Sequence, residues 1–190
     1  MSQTNIDPIN KDDLPTVFGM MTKPINQLEK IKKYPCILAP FMMVSIILSL
    51  SNIISTLANA SEAPFNRVLL NLYYAPALIV FGLLVSTLIF SFFLLLFAKF
   101  ENKIVEFQQL LSLVLFANIF DAIGVLTVAI LVSFVQEPNL FIYLINWGFS
   151  VVTYLLIVLG LKKIAEFGPF LSFIAPALFY SLFYLIEFMF

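Results

Sequence analysis

Five long apolar runs occupy most of this 190-residue chain, and they limit its fold more than any other feature. Each run holds at least about 20 residues, enough for a helix to cross a hydrocarbon core about 30 Å thick. Buried helices of a soluble protein would need only about 10–14 such residues, and a transmembrane barrel would need strands of alternating polarity. The sequence therefore predicts an all-α bundle of five transmembrane helices. The predicted spans are residues 37–58, 74–98, 110–135, 140–161 and 169–190.

The composition is that of a single membrane domain. Hydrophobic residues make up 62% of the chain, which is more than a soluble core of this size needs. No stretch between the runs is long enough to fold as a second unit. We therefore predict a five-span membrane domain over residues 36–190, an amphipathic interfacial helix over residues 17–35 and a disordered cytoplasmic tail over residues 1–16.

Nine of the ten Lys and Arg residues fall on one side of the predicted bundle, and Arg67 falls on the other. The nine lie before the first span, after the second and after the fourth: Lys11, Lys23, Lys30, Lys32, Lys33, Lys99, Lys103, Lys162 and Lys163. Cytoplasmic loops carry an excess of positive residues. We therefore predict a multi-pass protein of the plasma membrane with its N-terminus in the cytoplasm and its C-terminus outside.

The segment before the first span has the pattern of an amphipathic helix. Its apolar residues recur at spacings of three or four, and its lysines mostly occupy the other face. The apolar residues are Phe18, Met21, Ile25, Leu28, Ile31 and Tyr34. Thr22 is placed as the cap of this helix and Pro24 in its first turn.

This helix is predicted to lie in the cytoplasmic membrane interface. Lys30, Lys32 and Lys33 would then meet anionic lipid headgroups or a partner protein. The alternative is that the apolar face of the helix docks into a groove on another protein.

Asp121 is the one charged residue deep within a predicted span. It lies about 12 residues into the third run, where an ionised Asp costs about 2.5–3.5 kcal/mol to insert. Ala117 and Gly124 share its helical stripe and would let a neighbouring helix approach closely. Asn118 is one turn away, and Asn146 of the fourth run is a candidate hydrogen-bond partner. The first interpretation of Asp121 is a protonated, hydrogen-bonded packing residue, and the alternative is a proton or cation site of a transporter.

Two further patterns predict contacts between helices. Trp147 and Gly148 are expected to form a close helix contact, with the indole filling the space beside the glycine. The first span carries a mildly polar face that is expected to pack against protein. That face consists of Ser45, Ser49, Ser51, Asn52, Ser55 and Thr56.

The residue types that the chain lacks argue against several classes of function. There is no His and only one Cys, Cys36, so the chain has no Ser-His or Cys-His dyad, no His-ligated metal and no internal disulfide. An intramembrane aspartyl protease needs two acids in the membrane, and only Asp121 lies deep. No phosphate-binding or nucleotide motif is present, and the net charge of −1 gives no reason to expect nucleic acid. We predict no enzymatic activity and no cofactor.

Three segments, taken in order, resemble those of a known family. They are residues 24–31 followed by Pro35 and Pro40, residues 106–113, and Trp147 with residues 160–164. With five spans and a cytoplasmic N-terminus, the chain resembles the Yip-domain family of Ypt/Rab-interacting membrane proteins, particularly its bacterial branch, from about Phe18 to Phe190.

The resemblance implies an accessory role in a membrane and no catalytic residues. Eukaryotic Yip proteins act with prenylated Rab GTPases, but this chain lacks their Tyr-Gly-Pro-type motif, so a Rab-linked role is not expected. Some bacterial relatives are thought to work beside ABC transporters. We expect a non-enzymatic scaffold or accessory subunit whose partners are the lipid bilayer and other integral membrane proteins, or further copies of itself. The alternative is a small transporter or channel subunit that uses Asp121.

Overall fold

A computed structural model of the chain describes residues 11–61, 63–135 and 140–189, and within these ranges every regular element is a helix. This confirms the all-α prediction for the described part of the chain. Residues 1–10 of the predicted tail lie outside these ranges, and Lys11–Asp13 forms a short 3₁₀ turn. The α-helices are α1 Val17–Thr22, α2 Pro24–Lys33, α3 Leu38–Ala58, α4 Phe65–Tyr73, α5 Ala75–Phe100, α6 Phe107–Val135, α7 Leu140–Ile164 and α8 Pro169–Met189.

Four helices, α3, α5, α6 and α7, are long and apolar enough to cross a membrane. They correspond to the first four predicted spans and have 21, 26, 29 and 25 residues. Helix α8 is apolar over Pro169–Leu182, a shorter stretch than any of these four, so the fifth span stays a prediction. Several helices of this length and composition are typical of a multi-pass membrane protein.

Helix α6 lies at the centre of the bundle. Half of its most apolar stretch is buried, compared with between 22% and 33% for the other three candidate spans. It packs chiefly against α7 and α3, and its buried residues extend from Leu110 to Ala129. The polar residues Ser112, Asn118 and Asp121 of α6 are buried or half-buried within the bundle.

Two glycines allow α6 and α7 to approach closely. A Cβ added at Gly124 would lie 2.7 Å from the Cβ of Phe149, and one added at Gly160 would overlap the side chain of Leu113. Each glycine belongs to one helix and its neighbour to the other, so the contact uses small residues on both sides. The predicted role of Gly124 as a point of close approach is confirmed.

The predicted close contact at Trp147 and Gly148 is wrong. Among the described residues, nothing lies within 4 Å of a Cβ added at Gly148, and Trp147 is 69% exposed. The reason is the rotation of α7, which turns Gly160 towards α6. The face of α7 that carries Trp147 and Gly148 is therefore directed outward.

The polar face of α3 is partly directed into the protein. Ser45 and Ser51 are buried, as the sequence predicts. The Asn52 amide lies further along the same helix and donates a hydrogen bond to the carbonyl of Asn71 at 3.3 Å. This bond connects α3 to α4, a short helix that the hydropathy pattern did not predict.

The segment before the first span forms two helices, whereas a single helix was predicted over residues 17–35. The break falls at Lys23, because a residue that precedes proline is disfavoured in helical geometry. Pro24 occupies the first turn of α2, as expected. The predicted cap at Thr22 is wrong, because Lys23 precedes α2 as its N-cap without a side-chain hydrogen bond, and the hydroxyl of Thr16 caps α1.

Candidate functional site

The first candidate site is formed by α1 and α2, which we call the cap. The inner face of the cap docks on α6 and α7. Met20, Leu28 and Ile31 are fully buried there and belong to the main hydrophobic core. Burying a side chain of this kind contributes about 1.5–3 kcal/mol relative to leaving it exposed. Part of the apolar stripe predicted from spacing is therefore used to attach the cap to the bundle.

Two ion pairs connect α2 to the end of α7 and to the loop after it. The Nζ atom of Lys163 lies 2.6 Å from Oε1 of Glu29, and the Nζ atom of Lys32 lies 2.6 Å from Oε1 of Glu166. In each pair the hydrogen bond from the lysine, followed by its charge, lowers the pKa of the glutamate. All four side chains are largely exposed, so the pairs contribute more to the position of the cap than to stability.

Glu166 adopts a left-handed backbone conformation, with φ of 54°. It follows the end of α7, where the N–H of Phe167 donates a hydrogen bond back to the carbonyl of Leu161. Glycine is usual at such a position, because a Cβ there costs about 1–2 kcal/mol. A glycine here would lack the carboxylate that pairs with Lys32. The ion pair therefore accounts for a non-glycine residue at this position.

Other contacts bring the lysine-bearing loops together at the same end of the bundle. The hydroxyl of Ser112 on α6 donates to the carbonyl of Cys36 at 2.9 Å and accepts from its N–H at 3.2 Å. The carboxylate of Glu101, after α5, accepts a hydrogen bond from the N–H of Gly168, before α8, at 3.4 Å. The cap, the α5–α6 loop and the α7–α8 loop therefore form one surface.

The outer face of the cap exposes apolar side chains. Phe18 is 76% exposed, Ile25 51% and Met21 38%. These residues belong to the predicted apolar stripe, but they point away from the groove that holds Leu28. The stripe is thus divided between an inner face that docks on the bundle and an outer face that is available for contact.

The three lysines predicted to contact the membrane surface or a partner all lie in the last turn of α2. Lys32 and Lys33 are exposed, whereas Lys30 is half-buried and its Nζ atom donates to the carbonyl of Asp12. Lysines at a helix C-terminus interact favourably with the helix dipole. Their place on one turn groups three basic side chains at the end of the helix whose first turn carries the exposed Ile25.

The second candidate site lies beside Asp121, the middle residue of α6. Asp121 is half-buried, and its Oδ1 accepts a hydrogen bond from the hydroxyl of Ser150 on α7 at 2.7 Å. Asn146, the partner suggested by the sequence, lies four residues before Ser150 on the same helix face. The structure places both α7 residues beside the acid and gives the hydrogen bond to Ser150.

A cavity of about 610 Å³ lies between α6, α7 and α8 at this level. Its volume falls in the range of small-molecule sites, about 300–1,000 Å³. Tyr143 and Trp147 line it and are 61% and 69% exposed, so the cavity opens on the outer side of α7. Its polar and aromatic lining consists of Asp121, Asn146, Ser150, Thr153, Tyr143, Trp147, Tyr154 and Tyr180.

A second cavity, of about 250 Å³, lies on the other side of Asp121. Asn118 lines this smaller cavity, whereas Asn146 lines the larger one. Asp121 and Tyr180 line both. The three predicted polar residues are therefore close to one another, but Asn118 and Asn146 face different spaces.

Sequence reasoning missed Ser150 and the tyrosines of the cavity. Ser150 carries a signal that could have found it, because it follows Asn146 by four residues and so shares its helix face. Tyr154 and Tyr180 carry no such signal, since aromatic residues are common throughout these helices and their direction depends on the rotation of each helix.

Two hydrogen-bond acceptors stand out among the polar groups of the site. Asp121 provides a carboxylate, and Asn146 provides an amide Oδ1 that is buried and meets no hydrogen-bond donor within the described ranges. Over the same ranges, no group of three or more His, Cys, Asp or Glu side chains could hold a metal ion. The arrangement can accept hydrogen bonds from, or neutralise, a cationic group.

A family model described as the Yip1 domain matches residues 18–188. The match covers the cap and the helices that follow it, and it confirms the family resemblance predicted from the three ordered segments. No curated protein and no solved structure matches the chain.

Proposed function

Since this chain belongs to the Yip1 domain family, we propose that it is a non-enzymatic membrane scaffold or accessory subunit that assembles with other integral membrane proteins. An ABC transporter is the first partner class to test, and further copies of the chain are the second. The protein would lie in the plasma membrane with five spans, its N-terminus in the cytoplasm and its C-terminus outside. The family and the apolar helices support a membrane scaffold.

The outer face of the cap is the observation that carries this proposal. Docking of Leu28 and Ile31 holds the cap against the bundle, so Phe18 and Ile25 remain exposed at a defined position. Aromatic and aliphatic side chains of this kind supply the apolar centre of an interface, and charged groups supply its rim. The exposed apolar residues and the adjacent lysines of α2 therefore suit contact with a partner at the membrane surface.

The experiment is a recovery of complexes from native membranes in mild detergent, with the tag on the N-terminus. A membrane partner should be recovered in a fixed ratio to the chain. Replacing Lys30, Lys32 and Lys33 together by Gln should reduce that ratio, because the last turn of α2 loses three positive charges and the cap loses the Lys32–Glu166 ion pair that helps to position it.

A matched control replaces Lys99, Lys103 and Lys162 by Gln. These three lysines belong to the same charge group and lie outside the cap, so the control removes equal charge without changing α1, α2 or the residue between them. It should keep the partner. An unchanged partner ratio in the Lys30, Lys32 and Lys33 variant would contradict the assigned contact, and recovery of the chain without any stoichiometric partner or second copy would contradict the scaffold role.

The cavity beside Asp121 favours a second candidate function, that of a small transporter or channel subunit. In this case Asp121→Asn should abolish an ion-coupled flux in liposomes, because the exchangeable charge is lost, whereas Asn146→Ala should only loosen packing. A flux no greater than that of empty liposomes, measured across several candidate ions, would exclude this function.

A further inference from the structure

An ionised Asp121 would have no counter-charge at its own depth. The Lys and Arg residues of the chain all lie at helix ends, in the cap, in α4 or in loops, and none lies in the middle of a candidate span. An ionised carboxylate is costly in such a place unless it is paired. The hydrogen bond from Ser150 at 2.7 Å stabilises the acid but brings no positive charge. A cationic group that came from outside the chain would supply the positive charge that the site lacks.

At the same cavity, the side chain of Asn146 independently calls for a hydrogen-bond donor. Its Oδ1 is buried and, among the described residues, receives no hydrogen bond. More than about 90% of buried polar atoms in proteins have a partner. Asp121 and Asn146 both line this cavity, and a group that satisfied both oxygens would have to be a hydrogen-bond donor. An ammonium group carries both the donors and the charge.

The walls of the cavity favour an organic cation over a metal ion. Four aromatic residues line it, and aromatic faces attract ammonium groups. The hydroxyl of Tyr154 is already engaged with the carbonyl of Phe173, so this residue offers its ring to the cavity. A hard metal ion would need about six oxygen ligands, and the described residues hold no acidic cluster of that kind.

We propose that this cavity binds a small organic cation with an N–H-bearing ammonium group. The ammonium group would lie between the carboxylate of Asp121 and Oδ1 of Asn146, and the apolar part of the ligand would lie against Tyr143 and Trp147. Because these two residues are exposed on the outer side of α7, the ligand would enter from the lipid phase. The site goes beyond the scaffold role. It would also define the ligand class of the second candidate function, although binding does not require transport.

The test uses Trp147, the only tryptophan of the chain, as a probe within the cavity. The protein in mild detergent is titrated with 4-phenylbutylammonium at neutral pH while the tryptophan fluorescence is followed. We expect a saturable change with wild type and an affinity lower by about tenfold or more in Asp121→Asn, because a charge-assisted hydrogen bond is lost. Asparagine keeps the shape of the side chain and an oxygen that can accept from Ser150.

Two companion ligands separate charge from hydrophobicity. The neutral analogue 4-phenylbutanol should show no preference for wild type over Asp121→Asn. The quaternary 4-phenylbutyltrimethylammonium keeps the charge but has no N–H donor, so it should respond to Asp121→Asn and not to Asn146→Ala. The primary ammonium should respond to both variants.

Asn118→Ala is the matched control, because Asn118 lines the other cavity beside Asp121. It should leave the binding of 4-phenylbutylammonium unchanged. Equal affinity of this ammonium for wild type and Asp121→Asn would overturn the proposal, as would the absence of any saturable change with wild type. Saturable binding without flux in liposomes would exclude transport and leave the binding site in place.

Discussion

Gly124 shows how a single missing Cβ determines the distance between two helices of this bundle. Its partner across the contact is Phe149 on α7, and Gly160 plays the same part towards Leu113 on α6. Between helices in lipid there is little hydrophobic driving force, so close van der Waals contact supplies much of the free energy of helix association. The small residues that surround Asp121 therefore bring α7 near enough for Ser150 to reach the acid.

Gly124→Ala should destabilise the protein, whereas Gly148→Ala should not. The added methyl group at Gly124 would lie 2.7 Å from the Cβ of Phe149, and overpacking of this kind typically costs about 1–3 kcal/mol. At Gly148 the methyl group meets open space, and alanine is the better helix former by about 1 kcal/mol. Thermal unfolding in detergent, followed by circular dichroism, should give a lower midpoint for Gly124→Ala only. Equal midpoints for the two variants would contradict this packing.

The sequence predicted the position of the polar group but not its full set of partners. Asp121 is visible because a charge within an apolar run is unusual, and Gly124 follows from helical spacing. The rotation of α7 is not encoded in its own hydropathy, since the helix is apolar on nearly all sides. For that reason Trp147 and Gly148 were assigned to a contact that they do not make, whereas Ser150 could have been found from its spacing of four from Asn146.

At the scale of elements, the cap is attached by one face and exposes the other. Periodicity predicted a helix here because apolar residues recur across the whole segment, but the same periodicity continues through Lys23, where Pro24 breaks the helix. Spacing also could not tell which apolar residues would meet protein. That choice depends on the surface formed by α6 and α7, which receives Leu28 and leaves Ile25 exposed.

Leu28→Ala should loosen the cap, and Phe18→Ala should not. Leu28 is fully buried and Phe18 is 76% exposed, and truncation of a buried leucine costs about 2–5 kcal/mol. Hydrogen exchange of the α2 amides should therefore become faster in Leu28→Ala alone. Similar protection of α2 in both variants would show that the inner face is not what holds the cap.

The two ion pairs make attachment of the cap sensitive to acid. Each lysine lowers the pKa of its glutamate from the ordinary value of 4.5. A carboxyl whose pKa is lower in the folded protein stabilises it above that ordinary pKa, and this contribution is lost as the pH falls through the lowered value. Exchange of the α2 amides, corrected for the intrinsic effect of pH, should show constant protection from pH 7 to pH 5 and less protection below about pH 4.

The double variant Glu29→Gln with Glu166→Gln serves as the control for this pH effect. It cannot form either ion pair, so its protection should show little further loss in acid. A loss of protection equal to that of wild type would mean that other groups cause the acid response.

At the scale of the whole molecule, hydropathy predicted the four helices that are long and apolar enough to cross a membrane, because the requirement of a bilayer for long apolar helices is local in sequence. The fifth span stays a prediction. Hydropathy missed α4, since Phe65–Tyr73 is too short to register as a run. The gathering of the cap and the loops after α5 and α7 at one end agrees with the grouping of the nine lysines. Contacts such as Glu101 with Gly168 could not be predicted, because they join loops that are distant in the chain.

The proposed role requires the cap to face the cytoplasm, and labelling of single cysteines in intact cells tests this most directly. Cys36→Ser removes the only cysteine, and Lys33→Cys, Arg67→Cys or a cysteine appended to the C-terminus is then introduced alone. With a membrane-impermeant maleimide, the Arg67→Cys and C-terminal positions should react in intact cells, and Lys33→Cys only after permeabilisation. Reaction of Lys33→Cys in intact cells would contradict a cytoplasmic cap, and a C-terminal cysteine that reacts only after permeabilisation would contradict the fifth span.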